Sequence, residues 1–270
     1  MSTILDNIFA DKKSRLEQVE RQLPLRAVKN IMGQQKPALN VSQALKQPGA
    51  SRIIAEIKRR SPFKGELRQD FDAMQIAGLY VANGAAALSI LTEELYFGGS
   101  IELLGAARNR WEQTPLLRKD FIFAEYQVYE SRAFGADMFL LIATWLDKNH
   151  LADLLALGGE IGLTALVETH HERDLEKAFE AGASVIGINN RDLTTGKTDL
   201  DIARRLLKQA AWHPKNILVC ESGIRGRQEI VEFETLGAHA FLVGESLMTA
   251  DDIPGQLKKL MGHEQNQVSG

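Results

Sequence analysis

Eight short apolar runs separated by stretches of helical periodicity constrain this chain more than any other feature. They fall at Arg52 to Lys58, Ala85 to Leu91, Leu116 to Lys119, Asp137 to Ala143, Leu163 to Glu168, Ser184 to Ile188, Ile217 to Cys220 and Ala240 to Val243. Runs rich in Ile, Val and Leu with helical patterns between them are the mark of repeated β-α units and a parallel sheet. Successive runs are about 20 to 30 residues apart, which accommodates one strand, one helix and two short loops. The predicted fold is α/β, a (β/α)8 TIM barrel with an N-terminal helical extension. Gly84-Ala85, Gly135-Ala136, Gly182-Ala183 and Gly237-Ala238 form a weak repeat, each following a helical pattern and preceding an apolar run. A glycine there takes the left-handed conformation that ends a helix without a Cβ penalty. A doubly wound open sheet is the alternative, but it calls for a Gly-rich nucleotide turn after a strand, and neither G-x-G-x-x-G nor G-x-x-x-x-G-K-S/T occurs.

Residues 1–50 do not follow the β-α rhythm and read as a helical extension packed on the barrel. Ile4 to Arg21 is helical in pattern, and Pro24, Pro37 and Pro48 divide the extension into two or three short helices able to cover one mouth of the barrel. Residues 51–261 form the barrel, and the polar residues 262–270 read as a frayed tail.

Composition narrows the function. With 32 Lys plus Arg against 35 Asp plus Glu, the net charge is −3, so no basic field exists to hold a nucleic acid or an acidic membrane surface. No stretch approaches the ~20 apolar residues of a bilayer span, and the first ten residues lack the order of a signal peptide. The only cysteine, Cys220, rules out an intrachain disulfide and a Cys-rich metal site and suits a reducing cytoplasm. It lies in an apolar run and reads as a small core residue. None of the six histidines forms an H-x-H or H-E-x-x-H pattern, so no metal is expected; His170 and His171 read as helix-start residues.

In such a barrel the reacting groups lie at the C-terminal ends of the strands. The polar residues there are Glu56 and Lys58 on the first strand, Lys119 on the third, Glu168 on the fifth, Asn189 on the sixth, and Glu221 with Ser222 on the seventh. Glu56 and Lys58 are two apart and share one face, with Ala55 and Ile57 on the other. They read either as a structural ion pair plugging the interior or as part of a site. Lys119 is expected to face inward while its neighbour Arg118 is exposed. Acids and lysines converging from several strands tune one another and suit proton transfer in both directions. Ser222-Gly223-Ile224 and Gly244-Glu245-Ser246 follow the seventh and eighth strands, where barrels often bind phosphate on backbone N–H groups and a helix N-terminus. Ser61 and Arg191 add a hydroxyl and a cation, and Phe97, Phe121 and Phe123 are the aromatics nearest the proposed mouth.

Five motifs resemble indole-3-glycerol-phosphate synthase: Ala55-Glu56-Ile57-Lys58-Arg59-Arg60-Ser61-Pro62, Leu117-Arg118-Lys119-Asp120-Phe121-Ile122, Gly187-Ile188-Asn189-Asn190-Arg191-Asp192-Leu193, Glu221-Ser222-Gly223-Ile224 and Val243-Gly244-Glu245-Ser246-Leu247-Met248. The resemblance runs from Ile4 to about Leu260. It implies a lyase of tryptophan biosynthesis that converts 1-(2-carboxyphenylamino)-1-deoxyribulose 5-phosphate into indole-3-glycerol phosphate, carbon dioxide and water, with no cofactor. By this resemblance Lys119 is the general acid at the ketone, Lys58 the cation that assists dehydration, and Glu168 the base in that step. Glu56, Asn189 and Glu221 orient the lysines and hold the sugar hydroxyls. Ser61, Arg191, Gly223, Gly244 and Ser246 form the phosphate set, with Ser222 and Glu245 between them, while Phe97 and Phe121 border the anthranilate ring. A cytoplasmic monomer or weak homodimer acting on a small phosphorylated substrate is expected.

Two positions depart from the family pattern: Phe63 and Cys220 stand where serine is common. Some relatives carry a fused phosphoribosylanthranilate isomerase barrel, for which this chain has no room, so a monofunctional enzyme is expected. The competing readings are a sugar-phosphate isomerase, a Schiff-base aldolase using Lys119 or Lys58, and a barrel that only binds phosphate. The isomerase calls for a cysteine near the end of the first strand, and the set of acids and lysines argues against the binding-only barrel.

Overall fold

A computed structural model describes residues 3–263; Met1, Ser2 and residues 264–270 of the expected tail lie outside the described residues. The strands are β1 Arg52–Ile57, β2 Ala87–Leu91, β3 Leu116–Lys119, β4 Met138–Ile142, β5 Thr164–Thr169, β6 Val185–Asn189, β7 Ile217–Glu221 and β8 Ala240–Val243. Every neighbouring pair is parallel, and β1 pairs with both β2 and β8, so the sheet closes into a barrel. The predicted runs match these strands to within about two residues at each end, where pairing gives way to turns.

Alternation along each strand sorts the side chains. Ile54, Leu117, Leu140, Leu166, Val219 and Leu242 fill the barrel interior. Ile53, Ala55, Ile57, Leu88, Ile186 and Phe241 face the helices. The register sets Leu91 beside Lys119, Ile142 beside Glu168 and Asn189 beside Glu221, which brings the polar strand ends to one level.

Three helices precede the barrel, α1 Ile4–Gln22, α2 Leu25–Met32 and α3 Val41–Lys46. Eight others surround or follow its strands: α4 Ala73–Ala82, α5 Ile101–Arg110, α6 Glu125–Ala133, α7 Lys148–Glu160, α8 Glu172–Glu180, α9 Asp201–Ala210, α10 Arg227–Thr235 and α12 Ile253–Met261, with the single turn α11 Glu245–Met248 after β8. Short polar side chains start several of them. Asp72, for example, accepts from the backbone of Met74 and Gln75 at 2.9 Å. The four repeated glycines do end helices, at φ between 84° and 103°. Gly162, at φ 79°, does the same for α7, but Leu163 follows it and breaks the Gly-Ala pattern.

The extension packs at both ends of the barrel, not one. From α1, Leu5, Ile8 and Phe9 pack over the C-terminal mouth in the same cluster as Phe121, and the Phe9 ring stacks on Trp145 at 4.0 Å. Next, α2 descends along α6, burying Val28 against Tyr126 and Ala133. Finally α3 sets Val41 and Leu45 against Ile217 and Ala240, the first residues of β7 and β8. A second feature follows β1, where Arg60–Ser61 pairs antiparallel with Gly65–Glu66 in a small hairpin that no apolar run announces. No helix among the described residues is long and apolar enough to cross a membrane.

Candidate active site

The inner-facing polar ends of β1, β3, β5, β6 and β7 meet in one cluster at the C-terminal mouth. Lys119 donates to Glu168 Oε2 at 2.9 Å and pairs with Glu221 Oε2 at 3.5 Å. Asn189 Nδ2 donates to Glu168 Oε1 at 3.0 Å, fixing the carboxylate from its other side. Lys58 lies one residue past the end of β1, still points inward, and pairs with Glu56. Lys119 and Lys58 keep only 14% and 17% of their side chains exposed.

Burial favours the neutral form of a lysine or a carboxyl, so the outcome at Lys119, Glu56 and Glu221 depends on their neighbours. Burial drives the Lys119 ammonium toward the neutral amine, but Glu168, Glu221 and Glu56 together overcome it and hold the pKa above the ordinary lysine range. For Glu56, burial is likewise outweighed by Lys58 and then Lys119, and the carboxyl sits below its ordinary value. Glu221 goes the other way: burial, reinforced by Glu168 and Glu56 and only partly offset by Lys119, pushes it up to about 8. Among the described residues its Oε1 has no protein hydrogen-bond partner. The site therefore holds a charged lysine beside a carboxyl that keeps its proton at neutral pH.

Gly187 makes room for that carboxyl, since a Cβ there would collide with Glu221 Oε1. Gly187→Ala is therefore expected to lower kcat on the order of 10²-fold, with a stability loss of no more than about 3 kcal/mol. Steady-state kinetics beside urea unfolding separates the two effects. Wild-type kcat in a folded variant would show that the position of Glu221 is not critical.

A second group of loops lies across the mouth. Ser222, at φ 64°, is the only non-glycine residue with positive φ among those described, a conformation that costs about 1 kcal/mol or more. Asn190 holds it in place, with Nδ2 donating to the carbonyls of Glu221 and Ser222 at 3.2 and 3.1 Å. Gly223 follows at φ 78°, where a Cβ would strike Thr198 and Leu200. Ser246 Oγ donates to Ile224 O at 2.9 Å and ties the β8 loop to the β7 loop. Arg191 Nη2 pairs with Glu245 Oε2 at 2.9 Å. Ser61 Oγ accepts from Lys64 N at 3.2 Å within the hairpin turn.

The third wall is aromatic. Phe97 and Phe121 have centroids 6.0 Å apart, and Phe9 meets Phe121 edge-on at 5.4 Å. Glu93, buried beneath the β2 loop, accepts the backbone N–H groups of Leu95, Tyr96 and Phe97 at 2.7–3.0 Å and so fixes where Phe97 stands.

The structure brings the candidate catalytic and binding residues to this pocket: Glu56, Lys58, Ser61, Phe97, Lys119, Phe121, Glu168, Asn189, Arg191, Glu221, Ser222, Gly223, Gly244, Glu245 and Ser246 all line it, whereas Phe123, also expected near the mouth, packs beside Phe9 and is not among the lining residues. Leu140, Ile142 and Leu193 line it too, although the sequence reading assigned them no site role. For Leu140 and Ile142 the inward alternation of β4 was the available signal. Arg118 corrects an expectation: it is 3% exposed and does not face solvent. It is inserted between β3 and α6 against Asp120 at 3.1 Å and Glu130 at 2.8 Å. His171 caps α8 as expected of a helix-start residue, and Cys220 is a buried core residue whose thiol pKa burial pushes up. No group of three or more His, Cys, Asp or Glu among the described residues is placed to hold a metal ion.

Comparison with known proteins gives a consistent result. Residues 5–260 match a family model described as "Indole-3-glycerol phosphate synthase". A protein of that name from Dehalococcoides mccartyi is 44% identical over 261 residues, covering 96% of this chain and 100% of the relative. Another from Campylobacter fetus is 41% identical over 259 residues, covering 96% of this chain and 99% of the relative. Among solved structures, 3-hexulose-6-phosphate synthase from Salmonella typhimurium superposes with a TM-score of 0.63 at 16% identity, covering 79% of this chain and 100% of that one, a likeness of fold.

Proposed function

From the premise that this chain belongs to the indole-3-glycerol phosphate synthase family, we propose a division of labour among the residues of its pocket. The chain is a decarboxylating carbon–carbon lyase of tryptophan biosynthesis. Its reaction closes the indole ring of 1-(2-carboxyphenylamino)-1-deoxyribulose 5-phosphate and releases carbon dioxide and water. The observation that carries the assignment of roles is the Lys119 ammonium, paired with Glu168 and Glu221 in a pocket that Phe97, Phe121 and Arg191 also line.

In the first step the ring carbon bearing the carboxylate attacks the ketone carbon, and Lys119 gives its proton to the ketone oxygen, so that a hydroxyl forms and not an alkoxide. The carboxylate then leaves as carbon dioxide, and its bonding pair restores the aromatic ring. Phe97 and Phe121 border that carboxylate with apolar surface. In the last step Lys58 protonates the departing hydroxyl, and Glu168 takes the proton whose loss forms the indole double bond. Glu56, Asn189 and Glu221 keep the two lysines and the sugar hydroxyls in register. The substrate's phosphate lies toward Arg191, Ser61 and the backbone of Ser222, Gly223, Gly244, Glu245 and Ser246, where it anchors the flexible sugar chain far from the reacting carbons.

We take the enzyme to be cytoplasmic, which the lone buried Cys220 fits, and active as a monomer or weak homodimer, since one chain supplies the full set of pocket residues assigned above. The direct test mixes purified protein with the carboxyphenylamino-deoxyribulose phosphate in the presence of EDTA and follows indole fluorescence. Turnover at catalytic protein concentration is expected. A Lys58 or Lys119 adduct trapped by borohydride would favour the aldolase reading instead.

Glu221 gives the site a pH dependence. As pH rises through about 8, Glu221 loses its proton and places a further negative charge beside Lys119. This holds the lysine's proton more tightly and makes Lys119 a poorer acid. The expected kcat profile falls on the alkaline side near pH 8, and Glu221→Gln, which mimics the protonated form, is expected to remove that limb. A limb unchanged in the variant assigns it to another group.

A further inference from the structure

We infer that the Glu245 carboxylate is a built-in stand-in for the substrate's phosphate, holding Arg191 and Lys64 at the phosphate end of the pocket and yielding them to a doubly charged phosphate. The inference rests on the phosphate reading above and adds a role for the acid that this reading leaves unexplained. An anionic side chain in a phosphate subsite repels the ligand unless its charge is engaged elsewhere.

Here the charge is fully engaged. Arg191 Nη2 donates to Glu245 Oε2 at 2.9 Å, and Lys64 pairs with the other oxygen, Oε1. Among the described residues these two cations are the only hydrogen-bond partners of that carboxylate. They come from different loops, Lys64 from the hairpin after β1 and Arg191 from the segment after β6. The two loops touch, since the Phe63 ring fills the space beside Gly196, and Arg191 is steadied by Nη1 on Gly196 O at 3.3 Å and by its own N–H on Asn189 Oδ1 at 2.9 Å. Glu245 thus gathers two cationic arms whose aim no hydrophobic contact would fix. Together they hold its carboxyl below the ordinary range against the opposing effect of burial.

The pair is also built to open. The side chains keep 31% exposure at Glu245, 20% at Arg191 and 46% at Lys64, so water screens their attraction and the bond is weak. A phosphate dianion offers the same fork to the guanidinium with about twice the charge. It therefore displaces the carboxylate where a singly charged anion gains little. In this way the cations are preoriented, and the subsite selects for charge as well as shape.

Inorganic phosphate is the probe, measured as a competitive inhibitor and by direct calorimetric binding to the full-length protein. Glu245→Gln is expected to tighten phosphate binding roughly tenfold, the effect of removing one competing unit charge a few ångström away in a partly solvated site. Glu245→Asp keeps the charge but withdraws it by one methylene, and is expected to fall between the two. Phosphate binding in folded Glu245→Gln that is unchanged or weaker overturns the inference, as does an Asp variant that binds more tightly than the Gln variant. Failure of the underlying phosphate reading looks different. In that case phosphate would not compete with substrate in the wild-type protein, or Arg191→Met would bind it as tightly as the wild type, and the inference would fall with the reading.

Discussion

Lys119→Ala is expected to lower kcat by about 10²–10⁴-fold with little change in KM, the range that a positioned general acid supplies. The reason lies in how the lysine is held. Glu168 and Glu56 lie beside its ammonium and keep it charged despite burial, with Glu221 adding to them once it ionises, so at neutral pH a proton is always available beside the reacting ketone. Binding is assigned to other parts of the pocket, namely the phosphate loops and the phenylalanine wall, whereas the ion pairs of Lys119 are with Glu168 and Glu221. The loss therefore falls on the chemical step and not on affinity. Lys119→Arg retains charge but not the position or acidity of the ammonium, and is also expected to be slow. Turnover in Lys119→Ala close to that of the wild type would remove the residue from the mechanism.

Arg118→Met is expected to cost about 3–5 kcal/mol of stability, the penalty for leaving buried charges without their partner. Arg118 Nη2 lies 3.1 Å from Asp120 Oδ2 and 2.8 Å from Glu130 Oε2. Its other nitrogens donate to Thr92 Oγ1, Gln127 O and Ser131 Oγ at 3.0–3.3 Å. Removing the guanidinium leaves Asp120 with Lys12 of α1 as its remaining cation, at 2.6 Å, and Glu130 with no other ion-pair partner among the described residues. Urea unfolding reads the effect directly. A loss within ~0.5 kcal/mol, the range of ordinary surface substitutions, would contradict that penalty. The same network predicts acid sensitivity. Burial opposes ionisation of Asp120, but Lys12 and Arg118 more than compensate and depress its pKa well below the ordinary range. An acid with a depressed folded pKa contributes stability that is present above its unfolded pKa and lost as pH falls through and below that value.

Arg118 also marks how far the sequence is legible. The barrel could be read because its strands are buried on both faces and stand out as apolar runs, and the shared face of Glu56 and Lys58 followed from their spacing of two. The motifs then identified the pocket residues. What stayed hidden were contacts between distant segments. Arg118 resembles a solvated charge until α6 folds over it with Glu130, and nothing local announces that pairing. Lys64 and Glu245 are 181 residues apart, so their bond exists only once the barrel has closed. The place of α3 under the N-terminal mouth is equally non-local, since Val41 and Leu45 acquire partners only when β7 and β8 lie side by side. Glu93, holding the Phe97 loop by its backbone, reads in the sequence as one more acid beside Glu94. Ser222 carries a left-handed conformation that serine does not advertise, because Asn190, thirty-two positions away, imposes it.

The central claim, that Lys119 serves ring closure and Glu168 the later dehydration, is tested most directly by measuring carbon dioxide and indole together in a single turnover. Glutamine at position 168 cannot take a proton but keeps the shape of the carboxylate beside Lys119, while Glu221 remains to pair with the lysine. Glu168→Gln is therefore expected to release carbon dioxide without a matching amount of indole, and Lys119→Ala to release neither. Carbon dioxide released by Lys119→Ala at the wild-type rate, or indole formed in step with carbon dioxide by Glu168→Gln, would contradict the assignment.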